Sequence, residues 1–332
     1  MSIAQRSTSV ASITSTGYHT IDRFRTLLNT LGTWTQSQST DVPSGQGFAK
    51  SLKMDCTTAD ASPASGDYLF LSQAFEGQNL QYLKYGTANV SSLTLSFWVK
   101  SNKTGTYIIE LRNNDSLKNI SQSYTINSAS TWEKKTLTFV GDTSGAIDND
   151  NNSSLECYFW LGAGTNFTSG ALNTSWNTTA ASNRAVGQVN LADNTANEFY
   201  ITGVQLEAGT TASDFEFLPV DVNLGRCQRY FQSLNGADAT ALGDGITQTS
   251  TTSRIYVSFI NPMRSSPTAT FSTLAITDSV NYGPAVTSID AIASGTTSAR
   301  LSLTHNSGAS ALRPAMLILN SASGYLHLSS EL

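Results

Sequence analysis

The sequence predicts an all-β protein, built as a sandwich or jelly roll followed by a second, smaller β-domain. Three observations predict it. Apolar and polar residues alternate with period two along most of the 332 residues, the mark of half-buried strands. Short turn-forming clusters, "SNKTG", "GDTSG", "DNDNNSS" and "GAGTN", separate these runs at the spacing of an antiparallel sandwich. And the chain offers no amphipathic helix longer than three turns.

Taken in order, "LTLSFWVKS" puts Leu93, Leu95, Phe97 and Val99 on one face. "TYIIEL" and "SYTINSA" read as further strands. "WEKKTLTFV" turns Leu137 and Phe139 inward, and "LECYFWLGA" does the same with Leu155, Cys157, Phe159 and Leu161. "EFYITGVQLEAG" alternates through Phe199, Ile201, Val204 and Leu206, with an irregularity predicted at Gly203. After Pro219 the period changes. In "DVNLGRCQRYFQSL", Leu224, Cys227 and Phe231 fall at i, i+3 and i+7 on one side of a helix, and Asp221 is the candidate N-cap. Beyond it, "SRIYVSFINP", "ATFSTLAITDS", "PAVTSIDAIAS", "SARLSLTHNS" and "PAMLILNSASGYLHLSSEL" return to strands. The predicted organisation is a sandwich over 1–219, a short helical connector over 220–234 and a C-terminal antiparallel β-sandwich domain over 235–332.

Only 13% of the residues are charged, against about a quarter in ordinary domains. Short uncharged polar side chains take their place, a surface common in extracellular β-proteins and virion fibres. The 39% of hydrophobic residues, regularly alternating, argues against disorder. A net charge of −5 provides no basic field for nucleic acid. No stretch approaches the roughly 20 apolar residues of a membrane span. "MSIAQRSTSV" lacks the basic and apolar regions of a secretory signal, so synthesis and assembly in a cytosol are expected. Cys56, Cys157 and Cys227 are odd in number and widely spaced, which reads as buried hydrophobes rather than disulfides or a metal site.

Chemistry is sought first among carboxylates, since a hydrolase on such a fold typically needs a pair. Asp142, Asp148 and Asp150 form the densest group. Asp148, Asp150 and Asn152 alternate as calcium ligands would, but Ser153 replaces the EF-hand glycine and Phe159 its final glutamate. An Asx-rich turn and a structural calcium site outside the EF-hand class are the two readings. No other cofactor is expected. Glu76 and Glu207 follow apolar strand residues and are either turn caps, partners of a nearby Arg or Lys, or an acid–base pair. His19, His305 and His327 are too far apart in sequence for a ligand set. No phosphate loop, nucleophile elbow or nucleophilic-cysteine motif is present, so no enzyme activity is expected. Asn-x-Ser/Thr triplets such as those at Asn119 and Asn166 arise by chance in so Asn-, Ser- and Thr-rich a chain. The aromatics Trp34, Tyr82, Tyr85, Trp98, Trp132, Trp160 and Trp176 are either core residues or candidates for sugar stacking, the loop residues Trp34 and Trp176 first, with Tyr82 and Tyr85 behind them.

Several segments together resemble a module of tail-fibre-like and other virion structural proteins of tailed bacteriophages. They are "IAQRSTSVASITSTGYHTIDRF", "SLKMDCTTADASP", "LSQAFEGQNLQYLKYGTANVSSLTLSFWVKSNKTGTY", "TWEKKTLTFVGDTSGAIDNDNNSSL", "TGVQLEAGTTASDFE", "LGRCQRYFQ" and the C-terminal "NPMRSSPTATF" to "SGYLHLSSEL". Their order is more specific than any one piece. The resemblance implies a carbohydrate-binding-module-like jelly roll in the first part and a non-enzymatic virion protein assembled in the host cytoplasm. It implies a homotrimer contacting other virion proteins and host surface polysaccharide, with no nucleic acid bound and no membrane inserted. Leu224, Cys227, Tyr230 and Phe231 are the expected oligomer interface. Family members often carry a longer N-terminal docking part. Here Met1 stands three residues before "AQR", so docking through the N-terminal strand or on another virion protein is expected. A capsid decoration protein, a head fibre or tail appendage without a ligand, and a glycan depolymerase are the rival readings.

Overall fold

The structure is a computed structural model describing residues 1–278, 280 and 282–332. The chain is all-β, as its alternation predicts, and divides into two compact units, Met1–Leu218 with Leu332, and Pro219–Glu331.

The first unit contains twelve strands: β1 (Ser9–Ile13), β2 (Arg25–Asn29), β3 (Thr33–Ser39), β4 (Ser51–Thr58), β5 (Tyr68–Glu76), β6 (Leu93–Ser101), β7 (Gly105–Asn113), β8 (Lys118–Ile126), β9 (Glu133–Phe139), β10 (Ser153–Ala163), β11 (Asn177–Thr178) and β12 (Glu198–Ala208). They form two six-stranded sheets, in the orders β1-β3-β4-β12-β6-β9 and β11-β8-β7-β10-β5-β2. Their inner faces share one core. Leu93, Leu95, Phe97 and Val99 of β6, and Leu155, Cys157, Phe159 and Leu161 of β10, are all buried in it. Phe139 is buried there too, with Leu137 packed at its margin. The irregularity expected at Gly203 is a bulge: the β12–β6 register shifts between Thr202 and Gln205, and Gly203 has φ +59°, which only glycine adopts freely.

The second unit opens with a helix, Val220–Gln228, the second α-helix of the chain after a single turn at Thr165–Thr168. Pro219 occupies the N-cap position and Asp221 lies in the first turn, where its charge favours the helix dipole without capping an N–H. The predicted helix is too long: Phe231 begins the strand β13 (Phe231–Asn235) and pairs with Ser329. Strands follow as β14 (Ala241–Thr247), β15 (Thr252–Ser258), β16 (Thr268–Ser272), β17 (Leu274–Asp278), β18 (Tyr282–Ser294), β19 (Ser298–His305), β20 (Pro314–Leu319) and β21 (Tyr325–Ser329). The run "ATFSTLAITDS" is two strands rather than one, broken where Thr273 takes φ +45°; its last residue, Ser279, lies outside the described residues.

The strands of this unit make a small three-stranded sheet, β13-β21-β16, and a closed barrel, β14-β15-β19-β18-β17-β20, where the alternation had suggested a sandwich. Closure needs strands to approach closely at a corner. Gly243 and Gly245 permit it: a Cβ on either would sit 2.3 and 1.9 Å from the carbonyl oxygens of Tyr256 and Arg254. Ile255, Val257, Leu301, Leu303 and Leu317 fill the interior.

Candidate functional site

The structure redistributes the aromatic candidates. Trp34 is fully buried in the first core and donates its indole N–H to the Leu31 carbonyl at 2.7 Å, so it cannot meet a ligand. Its strand β3 is central enough that an apparently loop-like tryptophan faces inward. Trp176 and Tyr85 do come together, but as a closed pair: the rings meet edge to face at 5.7 Å, and Trp176 donates to the Val140 carbonyl at 2.6 Å. Tyr85 is only 6% exposed, and burial pushes its phenol well above the ordinary range. Of the four, Tyr82 alone is open, on the short 3-10 turn Gln81–Leu83.

The acidic loop is a turn. Asn152 donates its backbone N–H to Asp150 Oδ1 at 2.9 Å and its amide to Asp150 Oδ2. The carbonyls of Asp148, Asp150 and Asn152 already accept from Gln81 Nε2, the Gln78 N–H and the Gly77 N–H. Asp142, buried, is neutralised by Lys118 at 3.3 Å. Among the described residues no group of three or more His, Cys, Asp or Glu is placed to hold a metal ion.

Glu76 and Glu207 lie on different sheets and do not pair. Glu76, fully buried, accepts from Gln78 Nε2 at 2.6 Å. Glu207 accepts from the Ser213 N–H at 2.9 Å and its hydroxyl at 2.7 Å. Partial burial opposes the Glu207 charge, but these hydrogen bonds, one from Gln205 and the nearby Lys134 outweigh it and hold its carboxyl below the ordinary value. The three cysteines are buried and unbonded to one another; burial raises the Cys56 thiol to about 11, far from a nucleophile. In the barrel, Ser253 Oγ and His305 Nε2 lie 2.9 Å apart, the spacing of a nucleophile and its base. Both side chains are closed off from solvent, and His305 Nδ1 meets the Asn306 carbonyl rather than a carboxylate, so the pair is structural.

The expected interface set is also corrected. Cys227, Tyr230 and Phe231 are buried within the chain, and Phe231 packs edge-on against His327 at 5.0 Å. Leu224 is half-buried. The helix instead exposes Val220 and Val222. A helical period shows only which residues share a side, and here that side is turned inward.

A site that the sequence did not single out lies on the outer face of the first sheet. Because Leu95, Phe97 and Val99 point inward, Ser96, Trp98 and Lys100 point out. The β12–β6–β9 pairing sets two cross-strand rows on this face. In the first row, Tyr200 pairs with Lys100, and Trp132 lies at its end. This row is fully engaged. Asp41 accepts from Lys100 Nζ and from Trp132 Nε1, the latter at 2.9 Å. The Lys100 ammonium lies 4.4 Å from the centre of the Tyr200 ring, a cation–π contact. Tyr200 donates to Glu198 at 2.9 Å; burial and this carboxylate push its phenol up to about 12.

The second row, Thr202, Trp98 and Lys134, opens into a pocket of about 210 Å³. Two chain segments wall it. The loop 40–50 is anchored by Ser51 Oγ to the Asp41 carbonyl at 2.6 Å and by Thr202 Oγ1 to the Lys50 carbonyl at 2.8 Å, and it carries Phe48. The segment 213–217 is anchored by Glu207 and by Gln205, whose side chain bonds the Asp214 carbonyl and the Glu216 N–H at 3.2 and 2.8 Å. That segment carries Phe215 and Phe217. "GVQLEAG" therefore does two jobs: Val204 and Leu206 face the core while Gln205 and Glu207 hold the wall. The three phenyl rings pack on one another with centroids 4.9–5.1 Å apart. Among the described residues, the Trp98 indole N–H, the Gln46 amide and the Asp214 carboxylate around this pocket have no hydrogen-bond partner, and Lys134 makes no ion pair. The signal in the sequence was a large aromatic at an outward position of a core strand; the phenylalanines lie in segments with no period to read.

The opposite outer face, on the second sheet, is closed. Residues 164–190 lie across it, bonded through the Val189 N–H to the Thr106 carbonyl at 3.0 Å and through Gln188 Oε1 to the Ile108 N–H at 2.8 Å. Beneath them Phe70, Ile108, Trp160 and Ala185 form a second apolar cluster, with Phe167 and Leu172 at its edge. Glu110, fully buried, receives Arg184 Nε at 2.9 Å and Trp160 Nε1 at 3.0 Å.

No protein-family model and no curated protein matches the chain. Solved structures do. The bacteriophage CBA120 tailspike protein 4 enzymatically active domain is 16% identical, covering 56% of this chain and 19% of its own length, with a TM-score of 0.32; this chain thus spans about a fifth of that structure. The CBM22-2 xylan-binding domain of Paenibacillus barcinonensis Xyn10C is 18% identical, covering 56% of this chain and 91% of its own, with a TM-score of 0.30. A family 11 carbohydrate-binding module from Clostridium thermocellum, in complex with a mixed-linked tetrasaccharide, is 12% identical over 57% of this chain and 91% of its own, with a TM-score of 0.30. What this chain can bind follows from its own side chains.

Proposed function

We propose that the protein is a non-enzymatic virion protein of a tailed bacteriophage, a tail fibre or adhesin whose first unit binds host surface glycan in the Trp98 pocket. The observation that carries this reading is the pocket itself. It offers an indole N–H, an amide and a carboxylate that have no partner among the described residues, beside an apolar wall, on a sheet face left open. A sugar needs both elements, donors and acceptors for its hydroxyls and flat apolar surface for its C–H face. The likeness of the segments quoted above to phage virion modules points the same way, as does a surface of uncharged polar side chains. Weak binding by one pocket would be multiplied in a homotrimer displayed in many copies.

The test is binding of the purified chain to host cells and to their extracted polysaccharide, with the same sample sized by light scattering. Saturable binding by a trimer, lost when the glycan is removed, supports the adhesin. A folded protein that ignores both cells and glycan moves the reading to a capsid decoration or tail appendage protein. Release of reducing ends from the polysaccharide would make it a depolymerase.

A further inference from the structure

We propose that the Trp98 pocket selects a sugar residue carrying a methyl-bearing substituent, an N-acetyl group or the C6 methyl of a 6-deoxy ring, and seats that methyl against Phe48, Phe215 and Phe217. This rests on the glycan-binding reading and names the chemistry the pocket prefers.

The wall decides it. Phe215 packs edge-on to Phe48 at 5.0 Å and 67° and to Phe217 at 4.9 Å and 73°. Phe217 is still 56% exposed, so the cluster presents ring surface that the fold does not bury. Phenyl rings, unlike indole or phenol, have no polar edge. A hydroxyl pressed on them loses water and gains no partner, whereas a methyl gains by leaving water. Indole N–H, amide, ammonium and carboxylate groups line the rest of the pocket, so the hydroxyls and the ring oxygen are served there. Lys134 and Asp214 bring opposite charges to the same small space, which gives an acidic or a basic sugar no net advantage. At about 210 Å³ the pocket falls below the roughly 300–1,000 Å³ that takes drug-sized molecules, room for a single ring and its substituent.

The backbone is built around this wall. A Cβ on Gly203 would lie 2.5 Å from Phe48 Cζ, and one on Gly47 would lie 3.2 Å from Phe217 Cζ. Both glycines have positive φ. The bulge and the turn therefore set the rings where they stand.

The experiment is a calorimetric and ligand-observed NMR comparison of matched sugars on the full chain: N-acetyl-D-glucosamine against D-glucose, and D-fucose against D-galactose. Each methyl-bearing sugar should bind at least about tenfold tighter than its parent, as expected for one apolar group in a fitted site, with the strongest saturation transfer on its methyl protons. Phe217→Ala, at an exposed position, should abolish the preference within each pair. Trp98→Phe should weaken both members of each pair alike. Equal affinity within the pairs would overturn the proposal and leave the glycan-binding reading intact. If neither these sugars nor the host polysaccharide bound, the glycan reading itself would fall, and the proposal with it.

Discussion

Trp98 and Trp160 occupy equivalent positions. Each points outward from a strand whose alternate residues fill the same core, Trp98 from β6 and Trp160 from β10. Trp160 is fully buried, its ring 4.5 Å from Phe70 and 5.6 Å from Phe167, with the Arg184 guanidinium 5.1 Å above it. Its indole N–H is used by Glu110. Among the described residues, Trp98 has no such lid and no partner for its N–H. The difference lies in the segment that crosses each face. Residues 164–190 bring an apolar underside and one arginine, and they turn the second sheet's outer face into a small core. Residues 40–50 and 213–217 bring phenylalanines to the side of the first sheet's face and leave its centre open. A tryptophan on the outer face of a strand is thus left open or closed into a core depending on chain that lies far from it in sequence.

The contrast makes predictions of decreasing size. Glu110→Ala leaves the Arg184 charge buried without its carboxylate and should cost about 3–5 kcal/mol, read as a lowered urea midpoint. A loss below about 1 kcal/mol would mean that the cover is held by apolar packing alone. Trp98→Ala should weaken glycan binding by at least about 2 kcal/mol, roughly thirtyfold, with the thermal midpoint little changed. Trp160→Ala should do the reverse, lowering stability by about 3–5 kcal/mol while any surviving folded protein binds normally. If the two variants behaved alike, the two faces would not differ as described. Gly203→Ala forces a left-handed backbone on a residue with a Cβ, at about 1–3 kcal/mol, and pushes Phe48 aside; stability and binding should fall together in calorimetry.

The smallest effect is a pH dependence. The Glu207 carboxyl titrates below its ordinary value of 4.5 in the folded chain. Its hold on residues 213–216 is therefore complete above about pH 4.5 and is lost as the pH falls through the lower folded value. Binding should weaken in that acid window, and Glu207→Gln should flatten the profile. An unchanged profile in the variant would place the titrating group elsewhere.

The alternation of the sequence was enough to place strands at β6 to β10 and β12, with their inward faces, and an irregularity at Gly203; β1 to β5 were not read from it, and Trp34 of β3 read as a loop residue. Period-two alternation is a local property: side chains of neighbouring residues point to opposite sides of a strand whatever lies beyond it. Strand closure and face coverage are not local. Whether the second unit made a sandwich or a barrel turned on Gly243 and Gly245 meeting the backbone of β15. Whether Trp98 or Trp160 met solvent turned on which segments crossed which sheet. Helical spacing placed Leu224, Cys227 and Phe231 on one side of a helix, yet the helix ends at Gln228 and β21 captures Phe231 as a strand residue. Glu207 and Phe217 share a site through hydrogen bonds to a segment with no repeating pattern. Only the tertiary structure could decide those pairings, since their energy comes from groups that no local repeating pattern relates.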